Sequence, residues 1–498
     1  MQYYRARLTH LEAARDEAAK AYAAIRNDPE AGVELRAYAS CDLAYVWVHT
    51  RMRAPGAREE IQALLDEVEA LPVRDSKTAS IWDCRQLIHS FDLNWNGVTD
   101  CTLKLLELYR EYRDPLGVAH SLKLLKENLF LVGDWPQYFA FSQRAPQILA
   151  ELGDDAAAAY APLLQHRGIL WAGRYAEAEP FVRAELEDVR EFKHKERLTG
   201  ALLHVGYTLG LQRRFAEAEA HFAELLEVHR VRGNTFGRAS ALGWYGRLKG
   251  MAGELETGIA YLRERCEADL TRGNPNGTAE GLVWLGEVLE MQARRYGQTP
   301  DGTYALWEAQ HTYLHSLGKF ASRKHYDCGA LAGLMRVHYA QGETEQAETY
   351  ATSAEQLARP FEYNEYLAAI ALTRGHMAWN RGDRGAARGL YRQALIHALR
   401  FNRFALDELL GVHNWETPLV PLVPFCLAQG EAGRELLREL LLWWQRETNR
   451  TDLDPVSTIS PVGLGTSLLA AEQLARRLEP GDGSPQLTVV EQLRAALQ

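Results

Sequence analysis

The chain is poor in cysteine: six in 498 residues, with no CxxC pair and none near another at zinc-ligand spacing. That argues against a disulfide framework or a cysteine-held metal and fits a reduced, cytoplasmic protein. Runs of five or more basic residues are missing, which argues against polybasic membrane attachment. No uncharged apolar stretch approaches the ~20 residues a membrane helix needs, and the first twenty residues lack the apolar core of a signal peptide. Neither a GxxxxGK phosphate loop nor a GxSxG elbow is present. The formal net charge is −10, a poor match to phosphate backbones. The expectation is therefore no nucleic acid, no membrane and no cofactor.

What is present is periodicity. Apolar residues make up 47% of the chain, enough for an extensive core. Turn signals recur every 40 residues, at Gly133, Gly173, Arg213 and Gly253, and again at Gly302, Gly342 and Gly382. A second series runs through Asp114, Asp154, Asn234 and Asn274, with His194 at the intervening position. Two turns per 40 residues give two helices per repeat, each of ordinary length. The apolar stripes are helical: Leu202, Val205 and Leu209 on one helix, Ala218, Phe222 and Leu225 on the next. Gly206, Gly246 and Gly375 each fall seven residues before a turn, and Gly286 seven before residue 293, where the register slips. Glycine inside a helix costs about 1 kcal/mol against alanine, so its recurrence predicts close approach of the partner helix.

The register slips twice. The text ARRYGQTPDG carries extra residues at 294–302 and is expected to form an exposed loop within one hairpin. Three prolines in ETPLVPLVPF, residues 416–425, must interrupt a helix. The expected organisation is irregular hairpins over 1–113, regular repeats over 114–400, and a helical cap and tail over 401–498. In that tail PVGLGTS, residues 461–467, reads as a loop with a serine or threonine helix cap.

The repeat resembles the tetratricopeptide (TPR) family. Trp244 with Gly246, and Trp284–Leu285–Gly286, match the first-helix pattern; Ala218 with Phe222, and Ala387 with Tyr391 and Ala394, match the second. The 40-residue period departs from that family's 34 and is similar to sensor regions of bacterial signal-transduction ATPases and related transcription regulators. Their nucleotide module has no counterpart here, which implies a stand-alone sensor or adaptor. The resemblance implies an all-α, right-handed superhelical solenoid of antiparallel helix hairpins, with first helices lining a concave groove.

The position after each small residue then faces the groove: Glu127, Arg167, Tyr207, Arg247, Glu287, Arg336 and His376, with Trp379 beside it. Such a line suits a protein or peptide partner with acidic or C-terminal carboxylate groups, through forked arginine contacts and stacking. An ordinary solvated stripe is the competing reading, and most tryptophans are expected to pack between repeats. Glu308, His311 and His315 share a helix face and form a weak metal candidate, rivalled by chance among 16 histidines. The expected function is a non-catalytic protein- or peptide-binding scaffold or adaptor. A ligand- or peptide-sensing regulator is the alternative, and an enzyme with its site in the groove is a third reading that no catalytic constellation favours.

Overall fold

In the computed structural model, the residues described are 15–52, 56–91, 94–132, 137–138, 175–191, 195–271, 274–319, 324–401, 403–411 and 416–448. Among them every regular element is helical and no strand occurs. The fold is an all-α solenoid of antiparallel hairpins. No helix among the described residues is long and apolar enough to cross a membrane. The chain divides into two compact units, Met1–Gln165 and His166–Gln498.

The N-terminal unit holds α1 (Arg15–Arg26), α2 (Val33–Arg51), α3 (Ala57–Ala70), the single turn α4 (Ser76–Ala79), α5 (Ile81–Phe91), α6 (Trp95–Glu111) and α7 (Pro115–Val132). Its core gathers Tyr22, Leu43, Ile61 and Leu65, with a second cluster around Leu105 and Leu122.

The C-terminal unit begins with α8 (Tyr175–Glu191). Five hairpins follow: α9 (Lys195–Leu211) with α10 (Phe215–Val231), α11 (Thr235–Met251) with α12 (Leu255–Thr271), and α13 (Pro275–Tyr296) with α14 (Pro300–Lys319). Then come α15 (Lys324–Ala340) with α16 (Thr344–Ala358), and α17 (Asn364–Asn380) with α18 (Arg384–Phe401). Each first helix also packs on the first helix of the next repeat, so α9, α11, α13, α15 and α17 form an inner layer. Three further helices, α19 (Arg403–Leu410), α20 (Leu422–Ala428) and α21 (Gly430–Thr448), complete the described chain.

Local chemistry explains the regularity. Asn94, Asp114, Asn234 and Asn274 each accept a hydrogen bond from the backbone N–H three residues on, at 2.9–3.2 Å. That third residue is always glycine. A Cβ there would strike the residue eight positions earlier: His89 at Gly97, Tyr109 at Gly117, His229 at Gly237 and Asp269 at Gly277. The turn inside each hairpin needs a left-handed residue, supplied by Gly253, Gly342 and Gly382; Arg213 takes the same conformation at φ 64°.

The mid-helix glycines are packing sites, by two different means. A Cβ on Gly246 would lie 2.9 Å from the carbonyl of Gly258, so α11 and α12 touch backbone to backbone. At Gly206, Gly286 and Gly375 the space is filled by a ring of the partner helix, from Phe222, Tyr313 and Tyr391 respectively. The expected loop at 294–302 is corrected. Its residues extend the helices, so that α13 has 22 residues and α14 has 20 against 17 in α9 and α11. Only Gly297–Thr299 stand between them. The stretch 461–467 lies outside the described residues.

Candidate functional site

Residues 40 apart in the C-terminal unit stand side by side on adjacent repeats. Trp244 and Trp284 have ring centroids 4.4 Å apart, and Tyr207 stacks on Trp244 at 4.6 Å. Arg247 bonds Glu287 at 3.1 Å, and His325 bonds Glu365 at 2.7 Å. The period thus sets up a ladder of side-chain pairs along the inner layer.

This ladder lines a cavity of about 170 Å³ on the concave side. Tyr207, Trp244, Arg247, Trp284 and Glu287 form one wall, and His325, Arg336, Glu365 and Tyr366 continue it. The Arg247 guanidinium lies over the Trp284 ring at 5.3 Å, and Arg265 covers the same ring at 4.9 Å. The Tyr366 hydroxyl is held well above its ordinary pKa, first by burial and then by the carboxylates of Glu365 and Glu287.

The opposite side is closed by the chain itself. Glu408 of α19 receives Arg213 at 2.9 Å and the Thr417 hydroxyl. Glu416 pairs with Arg295 at 2.7 Å, and Pro418 and Leu419 enter the lining. The segment 416–421, with Pro418 and Pro421, is non-helical, whereas Pro424, expected to interrupt a helix, sits within α20. Residues 416–421 form a strap against the inner layer.

Of the eight residues expected to face the groove, four line this cavity: Tyr207, Arg247, Glu287 and Arg336. Glu127 falls on α7 of the other unit with its side chain outside the described residues, and Arg167 lies outside them altogether. Arg336 is not a free contact. It donates to both oxygens of Glu290, at 2.7 and 3.0 Å, and Tyr313 donates to the same carboxylate at 2.6 Å. Burial pushes the Glu290 carboxyl upward, and Arg336 opposes that shift.

His376 and Trp379 are corrected more fully. Both are buried beneath the strap and α20. His376 Nε2 donates to the Val420 carbonyl at 2.9 Å, which leaves Nδ1 to accept from the Tyr391 hydroxyl, also at 2.9 Å. Burial pushes its pKa down to about 4, so the ring is neutral. Trp379 donates to Gln429 at 3.1 Å, and Arg384 covers its ring at 3.3 Å.

The metal candidate is likewise corrected. Glu308 turns to Arg263, and the His311 ring bonds the Trp307 carbonyl at 3.0 Å. Among the described residues no group of three histidines, cysteines or acids could hold a metal ion.

Sequence reasoning missed Arg213, Glu365, Tyr366 and Glu408. The 40-residue interval from His325 to Glu365 was a readable signal. Nothing in the sequence says that residue 408 returns to residue 213.

No family model matches the chain, and no curated protein matches it. Solved structures of IFIT1 share the course of the chain only loosely. The human IFIT1 dimer with PPP-AAAA is 12% identical, with 91% of this chain and 93% of that chain covered at a TM-score of 0.48. An IFIT1 monomeric mutant with Gppp-AAAA is 13% identical, with 88% and 90% covered at 0.47. Those structures hold PPP-AAAA and Gppp-AAAA, and the exclusion of nucleic acid drawn above from net charge is withdrawn. At such similarity they assign no ligand to this chain.

Proposed function

We propose that the protein is a non-catalytic binding scaffold whose C-terminal unit holds a compact ligand in the concave cavity, in the manner of a sensor. The observation that carries this reading is the Arg247–Glu287 pair on the Tyr207–Trp244–Trp284 ladder, enclosed by the strap. An aromatic wall with a few fixed polar groups is the usual make-up of a ligand site. Enclosure favours a small molecule, or the end of a chain, over a long peptide lying in an open groove. The reading of a protein- or peptide-binding adaptor is retained for that one case, a partner inserting a terminus or side chain.

The test is a thermal-shift screen confirmed by calorimetry. Its panel holds free amino acids, small organic acids and amines, short peptides and 5′-triphosphate RNA. A ligand of this cavity should lose affinity in Arg247→Met and in Tyr366→Phe while both variants keep their helical circular dichroism. Binding that is indifferent to both substitutions would place the functional surface elsewhere.

A further inference from the structure

We infer that the cavity is built for a zwitterion, an ammonium carboxylate of free amino-acid size with an apolar or aromatic side chain. This rests on the cavity being the binding site, and it names the chemistry that site would select.

The argument begins with charge. The lining carries three guanidinium groups, on Arg213, Arg247 and Arg336, and three carboxylates, on Glu287, Glu365 and Glu408. A polyanion entering there would be desolvated against three carboxylates, and a polycation against three guanidinium groups; both are costly in a partly enclosed site. A ligand with one charge of each sign avoids either penalty.

The next step is to ask which polar atoms are already spent. Arg213 is engaged with Glu408, and Arg336 with Glu290. Arg247 is different. Its Nε and Nη2 both converge on one oxygen of Glu287, Oε2, at 3.1 Å. Among the described residues Nη1 has no hydrogen-bond partner, and neither does Glu287 Oε1. Among the described residues the Tyr366 hydroxyl also makes no hydrogen bond, and it lies near enough to Arg247 and Glu287 to feel both charges. His325 takes only one oxygen of Glu365, at 2.7 Å.

Open donors and open acceptors therefore line the same cavity. Arg247 Nη1 and the Tyr366 hydroxyl suit a carboxylate, while Glu287 Oε1 and the second oxygen of Glu365 suit an ammonium group. The rings of Tyr207, Trp244 and Trp284 supply apolar surface for the rest of the ligand. The volume of about 170 Å³ lies below the ~300 Å³ at which drug-sized pockets begin, which fits a ligand of this size.

The experiment is calorimetric titration of the full chain with the twenty free L-amino acids. Each binder is then compared with its N-acetyl and its carboxamide derivative. At least one free amino acid should bind, and each derivative should be weaker by about tenfold or more, because each leaves a half-buried partner unpaired. Glu287→Gln should reduce the penalty for N-acetylation, and Tyr366→Phe the penalty for amidation. Variants are accepted only if their melting profiles match the parent.

Equal binding of a zwitterion and its N-acetyl derivative would overturn the inference and leave a plain anion site. So would the absence of any amino-acid binder when another compound binds in an Arg247-dependent way, which keeps the ligand-binding reading alive. If no compact compound, peptide or RNA binds at all, both the inference and the proposed function fall.

Discussion

Arg247 and Arg336 hold equivalent places in their repeats, and so do Glu287 and His376, yet the two ends of this inner line have opposite fates. At the first end Tyr207, Arg247 and Glu287 face the cavity, and the Arg247 side chain remains 26% exposed. At the second, Arg336 is locked onto Glu290, and His376 and Trp379 are covered by residues 416–429. A shared register fixes which way a side chain points. What it meets there is set by whatever else the chain lays across that face. The open end carries the binding reading, and the covered end has become part of the core.

The comparison is broken most forcefully at Arg336. Its removal leaves the Glu290 carboxylate buried without its cation, so Arg336→Ala should cost about 3–5 kcal/mol, measured by urea denaturation. A loss similar to that of Arg247→Met would show that the two arginines are equivalent after all.

Next come the glycines that set the spacing of the inner layer. Gly246→Leu meets the Gly258 backbone and Gly286→Leu meets the Tyr313 ring at 2.5 Å, so each should destabilise by about 1–3 kcal/mol through overpacking. Gly318→Ala, with nothing within 4 Å, serves as the control and should be neutral or mildly stabilising. Equal melting temperatures for all three would remove the packing account.

The covered end should also report on pH. His376 is neutral in the fold, with its pKa pushed down to about 4, and burial pushes His397 the same way. Unfolded histidine titrates near 6.5. Between those values the unfolded chain binds more protons than the folded one, so stability is full above about pH 6.5 and falls as pH drops toward 4. In His376→Asn the dependence over that window should be shallower. An unchanged slope would mean that the ring is accessible and the strap does not seal it.

The smallest effect belongs to the open end. Arg247→Met loses one partly exposed ion pair and should shift stability by no more than about 1 kcal/mol. Its consequence should appear in ligand binding instead.

Much of this was legible because a repeat repeats its physics. The interval of 40, the Asn and Asp turn signals and the helix glycines each follow from short-range rules of capping, left-handed turns and close packing. Those rules act within one hairpin or between neighbours, so the order of residues suffices to state them. They placed Tyr207, Arg247, Glu287 and Arg336 on one line, and all four do line one cavity. They did not show that the interval also pairs Arg247 with Glu287, because a list of inward positions says nothing of how side chains on adjacent repeats share their hydrogen bonds.

The sequence by itself determined the helices, their hairpin pairing and the inward direction of that line, since these depend on contacts close along the chain or at a fixed period. Only the tertiary structure decided which part of the line stays open. The contacts responsible join residue 213 to 408, 295 to 416 and 376 to 420. They belong to no period, and each depends on where a proline-interrupted strap comes to rest after the repeats have stacked.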